Sequence, residues 1–158
     1  MKLMDIVVPG AIVPKLASAD RDEVVAELVD ALVAAGAAEP DLRDTLIEQV
    51  LEREKKGSTG FGRGVAVPHV KHKNLTRMAA AIGLSPQGVD FNALDKQPVY
   101  SVFLLLSPED QPEHHLEAME VIFSNLSKDT FRRFLRQGET AEDVVTLLEE
   151  ADTQRLSG

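Results

Sequence analysis

The stretch Gly57-Ser-Thr-Gly-Phe-Gly-Arg-Gly-Val-Ala-Val-Pro-His69 brings four glycines, two hydroxyls and an imidazole into one short segment. Imidazole is nucleophilic near neutral pH because its unperturbed pKa is about 6.5. In its neutral form it can attack phosphorus and hold a phosphoryl group as a labile P–N bond. Gly57, Gly60, Gly62 and Gly64 permit positive φ and close approach of backbone N–H groups to a ligand, which is how anion-binding nests are built. Ser58 and Thr59 add hydroxyl donors. The segment is not a P-loop, since no Lys-Ser/Thr follows the last glycine, and not a dinucleotide fingerprint, since the loop leads into a strand and not a helix. A glycine loop alone reads equally well as a turn-rich connection, and a lone histidine is most often structural or solvent-exposed. The two together point to phosphoryl chemistry.

The elements that must hold this segment can be read from apolar spacing and punctuation. Ile12 to Leu16 reads as a short extended segment. Asp20 begins a helix, with Glu23 three residues on as a capping box; Val24, Leu28, Ala31, Leu32 and Ala35 recur at helical spacing and Gly36 ends it. Pro40 opens a second helix, as proline tolerates the first turn, with a stripe of Leu42, Leu46, Ile47, Val50 and Leu51 and a stop at Gly57. Val65 to Val70 reads as a strand that leaves His69 near its end, where binding sites collect in open α/β sheets. Met78 to Leu84 is a further strand, Ser85 to Gly88 a turn, and Val89 to Phe91 the start of a hairpin partner. The nearly unbroken apolar run Val99 to Leu106 fits a strand buried on both faces. A third helix after Pro108 and Pro112 carries Leu116, Met119, Ile122, Phe123 and Leu126. A short helix holds Phe131, Phe134 and Leu135, with both phenylalanines read as core, and Thr140 caps a last helix with Val144, Val145, Leu147 and Leu148 inward. The expected fold is α/β: a mixed central sheet with helices on both faces, in a single domain over residues 1–158 with a frayed tail from about Thr153 to Gly158.

The run Arg53-Glu54 … Gly57-Ser58-Thr59-Gly60-Phe61-Gly62-Arg63-Gly64-Val65-Ala66-Val67-Pro68-His69, followed later by His115-Leu116, resembles the fructose–mannitol–nitrogen class of enzyme IIA of the bacterial phosphotransferase system. The order of elements matches as well, so the resemblance spans nearly the whole chain. It implies that His69 takes a phosphoryl group on Nε2 from an HPr-like phosphocarrier protein, and that His115 lies beside it and hydrogen-bonds that group. It also implies that Arg53 supplies positive charge and that the Thr59 hydroxyl helps to position the groups. The acceptor would be an enzyme IIB domain or a regulatory target protein. These roles suit phosphoryl transfer, which needs in-line positioning and charge stabilisation more than acid–base chemistry. Arg53 offers a planar fork for phosphate oxygens, His115 an N–H donor in the first turn of its helix, and the loop of Ser58, Gly60, Gly62 and Gly64 a hold on phosphoryl oxygens. No metal or cofactor is required. Two positions depart from the family pattern: Val70 stands where glycine is usual, and Arg63 where a small polar residue such as asparagine is usual.

Composition narrows the remaining choices. The formal net charge is -9, so nucleic acid and anionic membrane surfaces are poor partners. There is no cysteine, which removes disulfides and thiolate metal sites and suits a reducing compartment. No apolar run nears the roughly 18 residues of a membrane span, and the N-terminus lacks signal-peptide features, so a cytoplasmic protein without membrane insertion is expected. His72, in Val-Lys-His-Lys, reads as a solvated turn. His114 should point away from its neighbour His115, and the histidine spacing is not that of a zinc helix. A second function class is a regulatory binding module of the same fold that acts by docking, without phosphoryl transfer; Arg63 and Val70, at the rim of the site, motivate it.

Overall fold

The computed structural model describes residues 1–153. The chain opens with a short helix α1 (Leu3–Ile6), strand β1 (Val7–Val13) and helix α2 (Arg21–Ala34). A 3-10 turn at Pro40–Leu42 leads into α3 (Arg43–Lys56). Four strands follow, β2 (Gly60–Gly62), β3 (Val65–Ala66), β4 (His69–His72) and β5 (Ala79–Val89), and then β6 (Val99–Pro108). Helices α4 (Pro112–Leu126), α5 (Asp129–Gln137) and α6 (Ala141–Asp152) complete it. The sheet has six strands in the order β1-β5-β6-β3-β2, with β4 also on β6. β1 is parallel to β5, β5 antiparallel to β6, and β3 and β4 parallel to β6. The expected mixed sheet, flanked by helices on both faces, is what forms.

β6 is the axis of the molecule. Paired on both edges and covered on both faces, it cannot alternate polar and apolar residues, and every residue from Val102 to Leu106 is fully buried. Its even-numbered positions Val102, Leu104 and Leu106 join Val24, Leu28, Leu32, Leu46 and Val50 in the core under α2 and α3. Its odd-numbered positions Phe103 and Leu105 pack with Ile122, Phe131, Leu135 and Leu148 under α4, α5 and α6. The two-residue period of the strand thus decides which helix layer each side chain meets.

The capping signals act as read, with one reduction. Asp20 accepts from the Glu23 N–H at 3.0 Å, but the reciprocal bond of a capping box is not made at this helix. Thr140 has both halves, through Asp143. Gly36 takes φ +79 after α2, the left-handed stop that glycine supplies.

Several expectations are corrected. The first extended segment begins at Val7, not Ile12. Ser85–Gly88 is not a hairpin turn: β5 runs through it to Val89 with a register shift between Leu84 and Val89. The Ser85 hydroxyl accepts from the Gly88 N–H at 3.1 Å and Gly88 takes φ +91, so the turn chemistry is spent on a bulge inside a strand. The sheet is mixed because β5 itself returns antiparallel to β6. The segment Val65–Val70 is split at Pro68, which has no N–H to give to a ladder. The register nevertheless carries through the break, Val65 facing Ser101 and His69 facing Leu105. His69 is therefore the first residue of β4 and not a strand end.

On α4, Leu116 is 60% exposed and Phe123 is at the surface, so neither is core. Phe131 is fully buried, but Phe134 is 42% exposed beneath the Arg133 guanidinium. Thr153 is held, its N–H donating to Glu149 O at 3.1 Å; the rest of the expected frayed tail, 154–158, lies outside the described residues. No helix among the described residues is long and apolar enough to cross a membrane.

Candidate phosphoryl-transfer site

His69 owes its orientation to two neighbours in sequence. Pro68 interrupts the ladder, and the chain turns the His69 ring back so that Nδ1 lies 2.9 Å from Val67 O. A carbonyl oxygen can only accept, so Nδ1 carries the proton and Nε2 keeps its lone pair. His69 shares the parity of Val65 and Val67, which face the α4 layer, and there it meets His115. The two ring centroids are 5.4 Å apart with planes tilted by 49°.

His115 is brought there by the first turn of α4, where its backbone N–H makes the helix's first bond, to Gln111 O at 3.0 Å. Its Nδ1 is 2.7 Å from the Ser107 hydroxyl. Ser107 follows Phe103 and Leu105 in parity on β6, so its side chain emerges on the α4 face directly beneath the ring.

Arg53 arrives from the last turn of α3. One terminal nitrogen donates to Gly57 O at 2.8 Å, an interaction that also caps the helix. The rest of the guanidinium fork makes no hydrogen bond to a described residue and borders a cleft of about 470 Å³ shared with His69, Val70, Lys71, Glu109 and His115. Of the four residues expected to carry the chemistry, Arg53, His69 and His115 therefore line one cleft, and Thr59 does not.

The hydroxyls and glycines of the loop face elsewhere. The Thr59 N–H donates to both oxygens of the Glu54 carboxylate at 3.2 and 3.1 Å, and the Thr59 hydroxyl donates to Glu54 as well. The Ser58 hydroxyl accepts from the Gly60 N–H at 3.0 Å. Gly62, Arg63 and Gly64 form the tight turn between β2 and β3, with Gly62 opposite Val65. The amides of Thr59 and Gly60 are thus occupied within the loop, and Ser58, Thr59, Gly60, Gly62 and Gly64 do not line the cleft. The loop acts here as scaffold for the Val67–His69 turn; Val67 N–H donates to Thr59 O at 3.3 Å.

Glu54 is the residue that sequence reasoning passed over. It is 2% exposed, a buried carboxylate kept by three donated hydrogen bonds. Its signal was legible: Leu46 and Val50 mark the buried stripe of α3, and the next position at a spacing of four is Glu54. A carboxylate on an apolar stripe must have a partner. Ser107 was also missed, because a strand's reach past Leu106 cannot be read from an apolar run that stops there; nothing in the spacing of Lys71 or Glu109 marks them as cleft residues.

The electrostatics favour neutral rings. Burial lowers the His69 pKa and the nearby Arg53 and Lys71 cations lower it further, while the Val67 carbonyl and Glu54 oppose them. Burial and the charges of His69 and Lys71 push His115 down to about 4. At neutral pH the site therefore offers a nucleophilic Nε2, a neutral imidazole neighbour and the cations of Arg53 and Lys71. His72 serves its own turn, its Nδ1 accepting from Asn74 N–H at 3.0 Å. His114 is exposed and paired with Gln111 at 3.2 Å. Among the described residues no three His, Asp or Glu side chains converge as a metal-binding set.

Known proteins resemble this chain over nearly its whole length. The family described as "Phosphoenolpyruvate-dependent sugar phosphotransferase system, EIIA 2" matches residues 6–151. A nitrogen regulatory protein of Pseudomonas aeruginosa is 36% identical over 148 residues, covering 94% of this chain and 95% of the relative. The fructose-specific EIIABC component of Bacillus subtilis is 31% identical over 152 residues, covering 96% of this chain, which spans only 24% of that relative's length. The crystal structure of nitrogen regulatory protein IIA-Ntr from Neisseria meningitidis superposes with a TM-score of 0.82 at 29% identity, over 91% of this chain and 97% of that one.

Proposed function

The chain belongs to the EIIA 2 family of the phosphoenolpyruvate-dependent sugar phosphotransferase system, and from that premise we propose that it is a phosphocarrier whose acceptor atom is His69 Nε2. The observation that carries the reading is the bond from His69 Nδ1–H to Val67 O. It leaves Nε2 unprotonated and free in a cleft bordered by His115 and Arg53.

The His69 Nε2 lone pair attacks the phosphorus of a phosphohistidine on an HPr-like carrier. The new N–P bond forms as the donor's N–P bond breaks, and the donor imidazole departs with the electron pair. No proton needs to move in that exchange. The charge gained by the His69 ring is met by Val67 O at Nδ1–H. The oxygens of the transferring group lie within the field of Arg53 and Lys71, and preorganised charge of that kind is the main catalytic device in such transfers. Reversal of the same step delivers the group to an enzyme IIB domain or a regulatory target protein.

A protein donor must dock around the cleft, and exposed apolar side chains stand beside its charged lining. Leu116, beside His115, is 60% exposed. Two turns further along α4, Phe123 packs against Phe61 of the glycine loop, with ring centroids 4.9 Å apart and planes tilted by 53°. Incubation with phosphorylated HPr should yield an acid-labile adduct. An unlabelled protein, or a label that persists in His69→Ala, overturns the reading.

A further inference from the structure

We infer that Ser107 is a positioning residue for this site: its hydroxyl donates to His115 Nδ1 and fixes the neutral ring as the tautomer that carries its proton on Nε2, turned toward the group on His69. The consequence for transfer rests on the phosphocarrier reading; the tautomer does not.

Ser107 is fully buried. Among the described residues its hydroxyl has one hydrogen-bond partner, His115 Nδ1 at 2.7 Å. A hydroxyl has a single proton and a ring nitrogen is either donor or acceptor, so the bond has only two forms. If Nδ1 donated, the serine proton would be left without an acceptor in a closed interior, where an unmade hydrogen bond is costly. His115 Nε2 would then also present a lone pair toward the bare Nε2 of His69 and toward phosphoryl oxygens. If the hydroxyl donates, both ends of this bond are satisfied and Nε2–H becomes a donor. Only the second form uses the serine proton and the ring lone pair together.

The placement is firm because both histidines are referenced to neighbouring strands. β4, which carries His69, pairs with β6 in register, and Lys71 faces Ser107. The serine therefore sits two residues along from the His69–Leu105 pair, on a backbone ladder that does not slip independently of the nucleophile. The two histidines end up with opposite protonation: His69 has its proton on Nδ1 through a carbonyl, and His115 has its proton on Nε2 through a hydroxyl. One ring can attack while the other donates.

Long-range ¹H–¹⁵N correlation of the imidazole nitrogens in the unphosphorylated full chain tests this directly. The expected result is a protonated Nε2 and a bare Nδ1 for His115, and a mixture of tautomers in Ser107→Ala. A wild-type His115 protonated on Nδ1 overturns the inference, whatever the variant does. Transfer kinetics with a phosphorylated HPr supply the second arm. Ser107→Ala should lower kcat on the order of tenfold, less than the roughly 100-fold that follows removal of a whole donor, with KM for the carrier unchanged. In a His115→Gln background, whose amide N–H stands near Nε2 without help from Ser107, the same substitution should cost nothing more; an equal loss there overturns the inference. A wild-type chain that takes no phosphoryl group but has the expected tautomer overturns the phosphocarrier reading and supports the assignment of Ser107.

Discussion

His69 and His115 face each other with ring centroids 5.4 Å apart, each held at Nδ1 by a different kind of partner, Val67 O for one and the Ser107 hydroxyl for the other. The pair comes from two separate elements, a strand start after Pro68 and the first turn of α4. Its closeness depends on the parity of β6 and on the register of β4.

Acid should weaken the fold through His115. Its pKa is about 4 in the folded chain against an ordinary value of 6.5, so the unfolded chain binds the proton first. The stabilisation is complete above about pH 6.5 and is lost as pH falls toward 4. A shift of that size corresponds to about 3.5 kcal/mol at most, at roughly 1.4 kcal/mol per pH unit. Urea denaturation at pH 7 and pH 4.5 should show a smaller drop for His115→Gln than for the wild type, the common carboxylate contribution cancelling in the comparison.

Glu54 and Thr59 should behave as one unit. Glu54→Ala leaves the buried Thr59 N–H and hydroxyl without their acceptor and should cost about 2–3 kcal/mol. Glu54→Gln keeps an acceptor but turns one donor against another and should cost less. Because the loop carries Val67 through Thr59 O, both variants should also slow phosphoryl uptake. Denaturation midpoints and uptake rates check the order Ala worse than Gln.

Arg63 is strained where it stands. It takes φ 60, followed by Gly64 at φ 76, the pair of positive values that a type I′ hairpin turn demands and that Asn-Gly meets most easily. Arg63→Asn should stabilise the chain by about 1 kcal/mol, since an arginine pays the left-handed penalty that asparagine largely escapes. A urea midpoint that falls on this substitution would mean that the contact of Arg63 with Ser127 O, 3.4 Å away, outweighs the strain.

Leu116 should matter to the partner and not to the fold. With 60% of its surface exposed, Leu116→Asp should change stability by less than about 0.5 kcal/mol. It should raise KM for the phosphorylated carrier on the order of tenfold or more if it sits near the centre of the docking surface. Steady-state transfer kinetics separate that from a loss of kcat.

The helix caps and the buried β6 were legible because each follows from local rules: a capping oxygen, an unbroken apolar run. The gathering of Arg53, His69 and His115 came instead from the resemblance to the enzyme IIA class, since no local rule brings residues so far apart in the chain together. The path of the chain around Ser85–Gly88 was not. Serine, proline and glycine in a row signal a turn, and only the pairing with β6 turns that signal into a bulge. Leu116 was misplaced for a related reason. Its spacing from Met119 and Phe123 is that of a core stripe, but the stripe α4 buries is His115, Ala118, Ile122 and Leu126, one position out of phase. The loop hydroxyls were read as facing a ligand because composition cannot reveal that Glu54 already engages that of Thr59, and Phe91 O and the Gly60 N–H that of Ser58.

The most direct test is where the phosphorus resides. The protein, ¹⁵N-labelled at histidine, is treated with phosphorylated HPr and followed by ³¹P and ¹⁵N NMR. The geometry predicts a single phosphohistidine, substituted at Nε2 of His69, with Nδ1 still protonated against Val67 O. A phosphoryl group on His69 Nδ1, or on any other residue, would contradict it.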